Sequence, residues 1–123
     1  MKILDIELSD KEVVSIYTTA MEGGIGYWAI ANEYKWMYLY EDWNNDIVKE
    51  LDDDQVLVLL SDTEDDDFKD VELTPAKIRA GVKLLIEKYP HMYQILDGDE
   101  FHVDADGADA VVQLGLFGEI VYG

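Results

Sequence analysis

Asp104-Ala-Asp-Gly-Ala-Asp-Ala-Val-Val-Gln-Leu-Gly-Leu-Phe-Gly-Glu-Ile-Val-Tyr-Gly123 is the stretch that decides how this chain folds. Asp106 is placed to cap a helix, and Asp109 puts a negative charge in its first turn, where the helix dipole favours one. Val111, Val112, Leu114, Leu116 and Phe117 are too apolar for a free surface, so the spacing predicts a buried helix over 106–117. Gly118 suits the left-handed conformation that ends a helix, and Glu119-Ile-Val-Tyr122 then reads as a short strand. A segment this apolar cannot be a loose tail.

Working outward, two further helices announce themselves through their caps. Thr74-Pro75 is a capping residue followed by proline at the first helical position, and Ile78, Val82, Leu85, Ile86 and Tyr89 carry a helix over 75–89. Ser9-Asp-Lys-Glu12 is a capping-box signature, after which Val13, Ile16, Tyr17, Ala20 and Met21 recur at helical spacing until Gly23-Gly24, giving a helix over 10–22. Residues 2–8 alternate as an opening strand or extended arm.

The middle of the chain reads as strands. Tyr27 to Ala31 and Tyr34 to Tyr40 are rich in aromatic and β-branched residues across a short polar break, the pattern of a hairpin with Trp28 and Ile30 sharing a face. The stripe Trp36, Tyr38 and Tyr40 suits cross-strand packing or a stacking platform. Asp42 to Leu51 fits a short helix presenting Trp43, Ile47 and Leu51, and Asp52-Asp-Asp54 ends it in a turn. Gln55 to Leu60 is an unbroken apolar run suited to a central strand, whereas Phe68 to Leu73 alternates as a more exposed one. His91 to Leu96 reads as a further short helix. The expectation is one α+β domain over residues 1–123. A small, mainly antiparallel sheet, with 120–122 as an additional strand, would carry about three helices packed on one face.

The charge is regional. The chain has 28 acidic and 9 basic side chains, a formal net charge of −19, and residues 41–72 alone hold fourteen acids and two lysines, a net of −12. Residues 97–109 hold six acids and no base. The helix over 75–89 is the exception, with Lys77, Arg79, Lys83 and Lys88 against Glu87. Such a surface repels nucleic acid and anionic membrane and attracts basic protein surfaces or divalent cations; the plainer reading is solubility. Cysteine is absent, which excludes disulfides and thiolate ligands. The charged Met1 to Leu8 segment is not expected to be a signal peptide, no apolar run approaches the roughly 18 residues of a membrane span, and a cytoplasmic location follows as an expectation.

No motif in the chain carries catalysis. Placing Gly107 at the sixth position of a calcium-binding EF-hand loop aligns Asp104 and Asp106 with ligand positions, but His102 and Gln113 then occupy the first and twelfth, where acids belong. Helix capping explains the same aspartates without a metal, although a loosely held cation among Asp97, Asp99, Asp104 and Asp106 stays open. His91 and His102 lack a neighbouring nucleophile or a second histidine at metal-ligand spacing. Gly23-Gly-Ile-Gly26 follows a helix, whereas a dinucleotide-binding loop follows a strand. The expectation is a protein that is not an enzyme and carries no cofactor and no resident metal.

Two segments, Ala20-Met-Glu-Gly-Gly-Ile-Gly-Tyr-Trp-Ala29 and Asp106-Gly-Ala-Asp-Ala-Val-Val-Gln-Leu-Gly-Leu-Phe-Gly-Glu-Ile-Val-Tyr-Gly123, resemble a group of small acidic proteins of uncharacterised function encoded by bacteriophages and prophages. The resemblance covers about a quarter of the chain and implies a phage origin, action within an infected host cell, and a shared scaffold, but no activity. Set beside the charge, it leads to an acidic DNA mimic that inhibits a host nucleic-acid-binding defence protein of the anti-restriction or anti-CRISPR type. Basic grooves evolved to meet about one phosphate charge per 1.7 Å of duplex are its natural target. Asp52, Asp53, Asp54, Asp65, Asp66 and Asp67 are the expected partner-binding residues, with Trp43 as an apolar anchor. The partner would be a basic protein surface such as a host nuclease, with no direct nucleic-acid binding and no membrane. The alternatives are a phage accessory or assembly protein that binds a basic partner, and a divalent-cation-binding regulator.

Overall fold

The computed structural model of the chain describes residues 8–32, 52–63, 69–96 and 100–123. Helix α1 is Asp10–Thr19, and both halves of its capping box are formed. Ser9 Oγ accepts from the Glu12 N–H at 3.1 Å while Glu12 Oε1 accepts from the Ser9 N–H at 2.8 Å. The helix does not stop at 22. It widens into a π-helical turn, Ala20–Gly24, closed by a 3.2 Å bond from the Ile25 N–H to the Ala20 carbonyl.

Strands β1 (Ala29–Asn32), β2 (Val58–Asp62) and β3 (Val71–Leu73) form an antiparallel sheet in the order β1-β2-β3. The apolar run expected to lie centrally does so, although the ladder begins at Val58. Of the strand expected over 68–73, residue 68 lies outside the described residues, and among the rest the strand starts only at Val71, after Asp70 at positive φ, a conformation outside the extended region. Alternation along β2 places Val58 and Leu60 fully in the core and Asp62 at its edge, with Leu59 and Ser61 on the other face. Trp28 and Ile30 do not share a face as expected. Residues 26–28 form a turn before β1 starts, so Trp28 is buried at 2 % exposure while Ile30, on the strand, is 49 % exposed.

Helix α2, Pro75–Lys88, starts at Thr74, whose Oγ1 accepts from the Lys77 N–H, and buries Ile78, Val82, Leu85 and Ile86. The helix expected over 91–96 is instead a 3₁₀ turn, Pro90–Met92, followed by a hairpin of β4 (Gln94–Leu96) and β5 (Glu100–His102). Six residues offer too little length to repay helix nucleation, and the Asp97-Gly98 pair that follows is a hairpin signal. The Glu12 carboxylate reaches this hairpin, its Oε2 accepting from the Phe101 N–H at 2.7 Å, so the capping residue of α1 also holds β5.

Helix α3, Ala105–Phe117, is the buried helix on which the others assemble. Its N-cap is Asp104, accepting from the Gly107 N–H at 2.9 Å, rather than Asp106, and Gly118 ends it at φ +77°. Packing of α2 on α3 depends on two glycines. A Cβ on Gly81 would lie 2.1 Å from the Val111 carbonyl oxygen, and one on Gly115 would lie 2.1 Å from that of Lys77. The two backbones therefore approach more closely than any side chain permits. The described chain is thus α+β, with three helices and a small antiparallel sheet. Residues 2–7 of the arm expected over 2–8, the strand expected over 34–40 and the helix expected over 42–51 lie outside the described residues. Among the described residues no helix is long and apolar enough to cross a membrane.

Candidate functional site

Asp52, Asp53 and Asp54 sit, as their sequence suggested, on an exposed turn. Its backbone is fixed by bonds from the Gln55 N–H to the Asp52 carbonyl at 3.0 Å and from the Ala76 N–H to the Asp53 carbonyl at 3.1 Å. The second bond anchors the turn to the first residues of α2. Arg79, one turn further along α2, lies 3.4 Å from Asp53 and 2.8 Å from Asp10, and also donates to the Leu8 carbonyl. The cationic face expected along α2 is therefore partly neutralised by its own protein, and Lys77 is likewise occupied, donating to the Glu72 carbonyl at 2.6 Å. Lys83 and Lys88 stay exposed. Trp43, Asp65, Asp66 and Asp67 lie outside the described residues, so this region is represented by one of its two aspartate triplets.

A second constellation is built around Asp109. The residue lies in the second turn of α3 and is only 9 % exposed. Its Oδ1 accepts from Trp28 Nε1 at 2.7 Å and from Gln113 Nε2 at 2.9 Å, and its Oδ2 accepts from the Tyr27 hydroxyl at 2.5 Å. Gln113 is fully buried one helical turn later, which places its amide beside Asp109. Its Oε1 accepts from the N–H groups of Val121 and Tyr122 at 2.8 and 2.7 Å, and its Nε2 also donates to the Tyr122 carbonyl at 3.1 Å. Both donors and both lone pairs of this amide are thereby used. This is why residues 120–122 do not form the expected strand: the Gln113 side chain satisfies the backbone groups that a neighbouring strand would.

The same site gathers the aromatic residues. Trp28 stacks on Tyr122 with ring centroids 5.0 Å apart and planes within 4°, and Phe117 closes on both. The Tyr122 hydroxyl donates to Asp62 Oδ2 at 3.0 Å, linking the segment after α3 to the end of β2. Tyr27 is 57 % exposed as a residue, yet its hydroxyl is directed into the protein. Burial of that hydroxyl, its hydrogen bond to Asp109 and the carboxylate's charge push its pKa from 10.0 up to about 12. The two segments quoted for their resemblance, 20–29 and 106–123, are thus one contact surface, joined by Tyr27, Trp28, Asp109, Gln113 and Tyr122.

Beside Asp109 the surface opens into a cleft of about 500 Å³, with Asp109 and Gln113 facing Tyr27 and Tyr122, Met92 and Ile120 as apolar walls, and Asp106 at the rim. A smaller recess of about 140 Å³ is lined by His91 and His102, both exposed. The calcium-loop alignment over 102–113 fails on geometry, because Asp104 caps α3, Asp106 lies in its first turn, and Gln113 is committed to the segment after the helix. Among the described residues no group of three or more acidic or histidine side chains is arranged to hold a metal ion.

The sequence signal for the Asp109 site was present in the form of two polar residues, four apart, inside a helix otherwise too apolar for water. Their burial follows from their neighbours. Their partners, some eighty residues earlier, carry no mark. Fold and site together define an α+β protein with a buried carboxylate hub on its most buried helix and an acidic turn on its surface. No family model, no curated protein and no solved structure matches the chain.

Proposed function

We propose that the protein is a non-catalytic acidic binder of a basic protein surface, acting as a DNA mimic toward a host nucleic-acid-binding defence protein. The observation that carries this reading is the Asp52-Asp53-Asp54 turn: three exposed carboxylates on a backbone held by Gln55 and Ala76. Imitation of phosphates requires charges on a fixed frame, since ordering a floppy acidic loop on binding would cost conformational entropy. The net of −12 over residues 41–72 supports the same reading, and the resemblance to phage-encoded proteins supports the host setting. The contact between Arg79 and Asp53 favours a second reading, in which one of the three charges is structural and a phage accessory protein meets its basic partner through general acidity.

The two readings separate by competition. A partner captured from host lysate should be displaced by duplex DNA, with an affinity that falls steeply with salt as counterion release loses its value. Replacing Asp52, Asp53 and Asp54 by Asn, or Asp65, Asp66 and Asp67 by Asn, should weaken capture under mimicry. A partner that binds both triple variants as tightly as the parent and ignores DNA at low salt would leave the accessory-protein reading.

A further inference from the structure

The surface-charge reading makes no use of the cleft at Asp109, and the cleft has a property of its own. Asp109 is a nine-tenths-buried carboxylate whose three side-chain donors, Tyr27, Trp28 and Gln113, are all neutral. Among the described residues no Lys, Arg or His lines the cleft, and Asp106 at the rim adds a second negative charge. Buried charges are ordinarily matched by a counter-charge, because neutral donors offset only part of the desolvation cost. The dipole of α3 offsets another part, but Asp109 already lies a full turn inside the helix.

We infer that this cleft binds a single organic cation, a guanidinium or ammonium group, with Asp109 as counter-ion, Asp106 as the outer carboxylate, and the rings of Tyr27 and Tyr122 beside the charge. Aromatic walls suit a cation through the ring quadrupole, and Met92 and Ile120 match the methylene stem that carries such a group. A volume of about 500 Å³ is within the usual range of small-ligand sites, about 300–1,000 Å³, and accommodates one extended basic side chain or one linear polyamine. The cation has two sources, an arginine or lysine on a protein partner and a free polyamine, and both present the same chemistry.

The test uses the full chain labelled with ¹⁵N, titrated at low salt with arginine blocked at both backbone ends in one arm and with spermidine in the other. Saturable shifts are expected at the Trp28 indole N–H and the Gln113 side-chain amide, which report directly on Asp109. Asp109→Asn should weaken binding at least about tenfold, equivalent to 1.4 kcal/mol, and Asp106→Asn by about twofold to fivefold. Asp54→Asn removes the same charge from the 52–54 turn, which does not line the cleft, and should change affinity by less than either. Asp106 is exposed, so Asp106→Asn decides the matter if Asp109→Asn does not fold. Tighter binding in the arginine arm assigns the site to a protein side chain, and tighter binding in the spermidine arm to a free amine. Absence of saturable shifts with either probe, or an equal loss in Asp106→Asn and Asp54→Asn, overturns the inference and leaves Asp109 as a structural hub only.

Discussion

Asp53 and Asp109 are the same residue type in opposite circumstances. Asp53 stands on an exposed turn, its backbone held by Ala76 and its carboxylate in a solvent-exposed ion pair with Arg79 at 3.4 Å. Asp109 is nine-tenths buried on α3, joins the Tyr27-Trp28 turn to that helix, and through Gln113 reaches the segment after it. At the surface, water solvates the charge whether or not a partner is present, so the pair contributes about 0–1 kcal/mol. Around Asp109 the Trp28 indole and the Gln113 amide are buried, so losing the carboxylate leaves these two donors without water. The acidity of this protein is therefore two properties: a surface potential that can be altered with little effect on folding, and an internal scaffold that cannot.

The sharpest way to break that contrast is to truncate the hub. Asp109→Ala strands the buried donors of Trp28 and Gln113 at about 1–3 kcal/mol each, and urea unfolding should show a loss of roughly 2–6 kcal/mol. A loss near zero would mean that water fills the vacated position and that the hub is dispensable. Gln113→Ala comes next. It leaves the Val121 and Tyr122 N–H groups and the Tyr122 carbonyl unmatched, but that segment is partly exposed and water reaches some of them, so about 1–3 kcal/mol is expected. A weakened near-ultraviolet circular dichroism of the Trp28–Tyr122 stack should accompany it, because the amide holds the Tyr122 backbone, while the Asp62 bond and ring contacts remain when it is removed.

A smaller effect appears at high pH. The folded pKa of Tyr27, about 12, is above its ordinary 10.0, so the folded state holds this proton more tightly than the unfolded one. The corresponding stabilisation is fully present below pH 10 and is lost as pH rises from 10 through about 12. Tyr27→Phe should flatten that part of the stability curve relative to the parent. Because Tyr27 is more than half exposed, solvent screens the interaction and the difference will be modest. Identical curves for the two proteins would show that the hydroxyl is not engaged with Asp109 in solution.

How much of this was legible before the structure depended on how local each cause was. The starts of α1 and α2 were readable because Ser9 with Glu12, and Thr74 with Pro75, act within one helical turn. The central place of β2 was readable because an unbroken apolar run needs cover on both faces. Gly81 and Gly115 were not, since their need for hydrogen in place of a Cβ arises only when α2 and α3 meet. The hairpin of β4 and β5 was missed for a different reason: Asp97-Gly98 was read as acid when it was also a turn signal. At the sites, exposure of Asp52 to Asp54 followed from their charge, whereas Arg79 as the neighbour of Asp53 did not, being 26 positions away. Asp109 was read as a helix-dipole residue, and its burial against Tyr27 and Trp28 could come only from tertiary structure.

The gentlest intervention is also the one that most directly tests the comparison. Replacing Asp52, Asp53 and Asp54 together by Asn preserves the size and turn chemistry of the segment and removes three of the 28 negative charges. Two opposing effects follow. Asp53 loses its attraction to Arg79, while the region as a whole loses like-charge repulsion, and each is weak because all three side chains are exposed. Surface substitutions of this kind stay within about 0.5 kcal/mol each, so the midpoint of urea unfolding should scarcely move, and raising salt should bring variant and parent closer still. If the triple variant loses as much stability as Asp109→Ala, the turn is a structural element clamped by Ala76 and Arg79 and the division between scaffold and surface fails. If stability holds while capture of a basic partner weakens, the exposed triplet acts through its charge alone, as the DNA-mimic proposal requires.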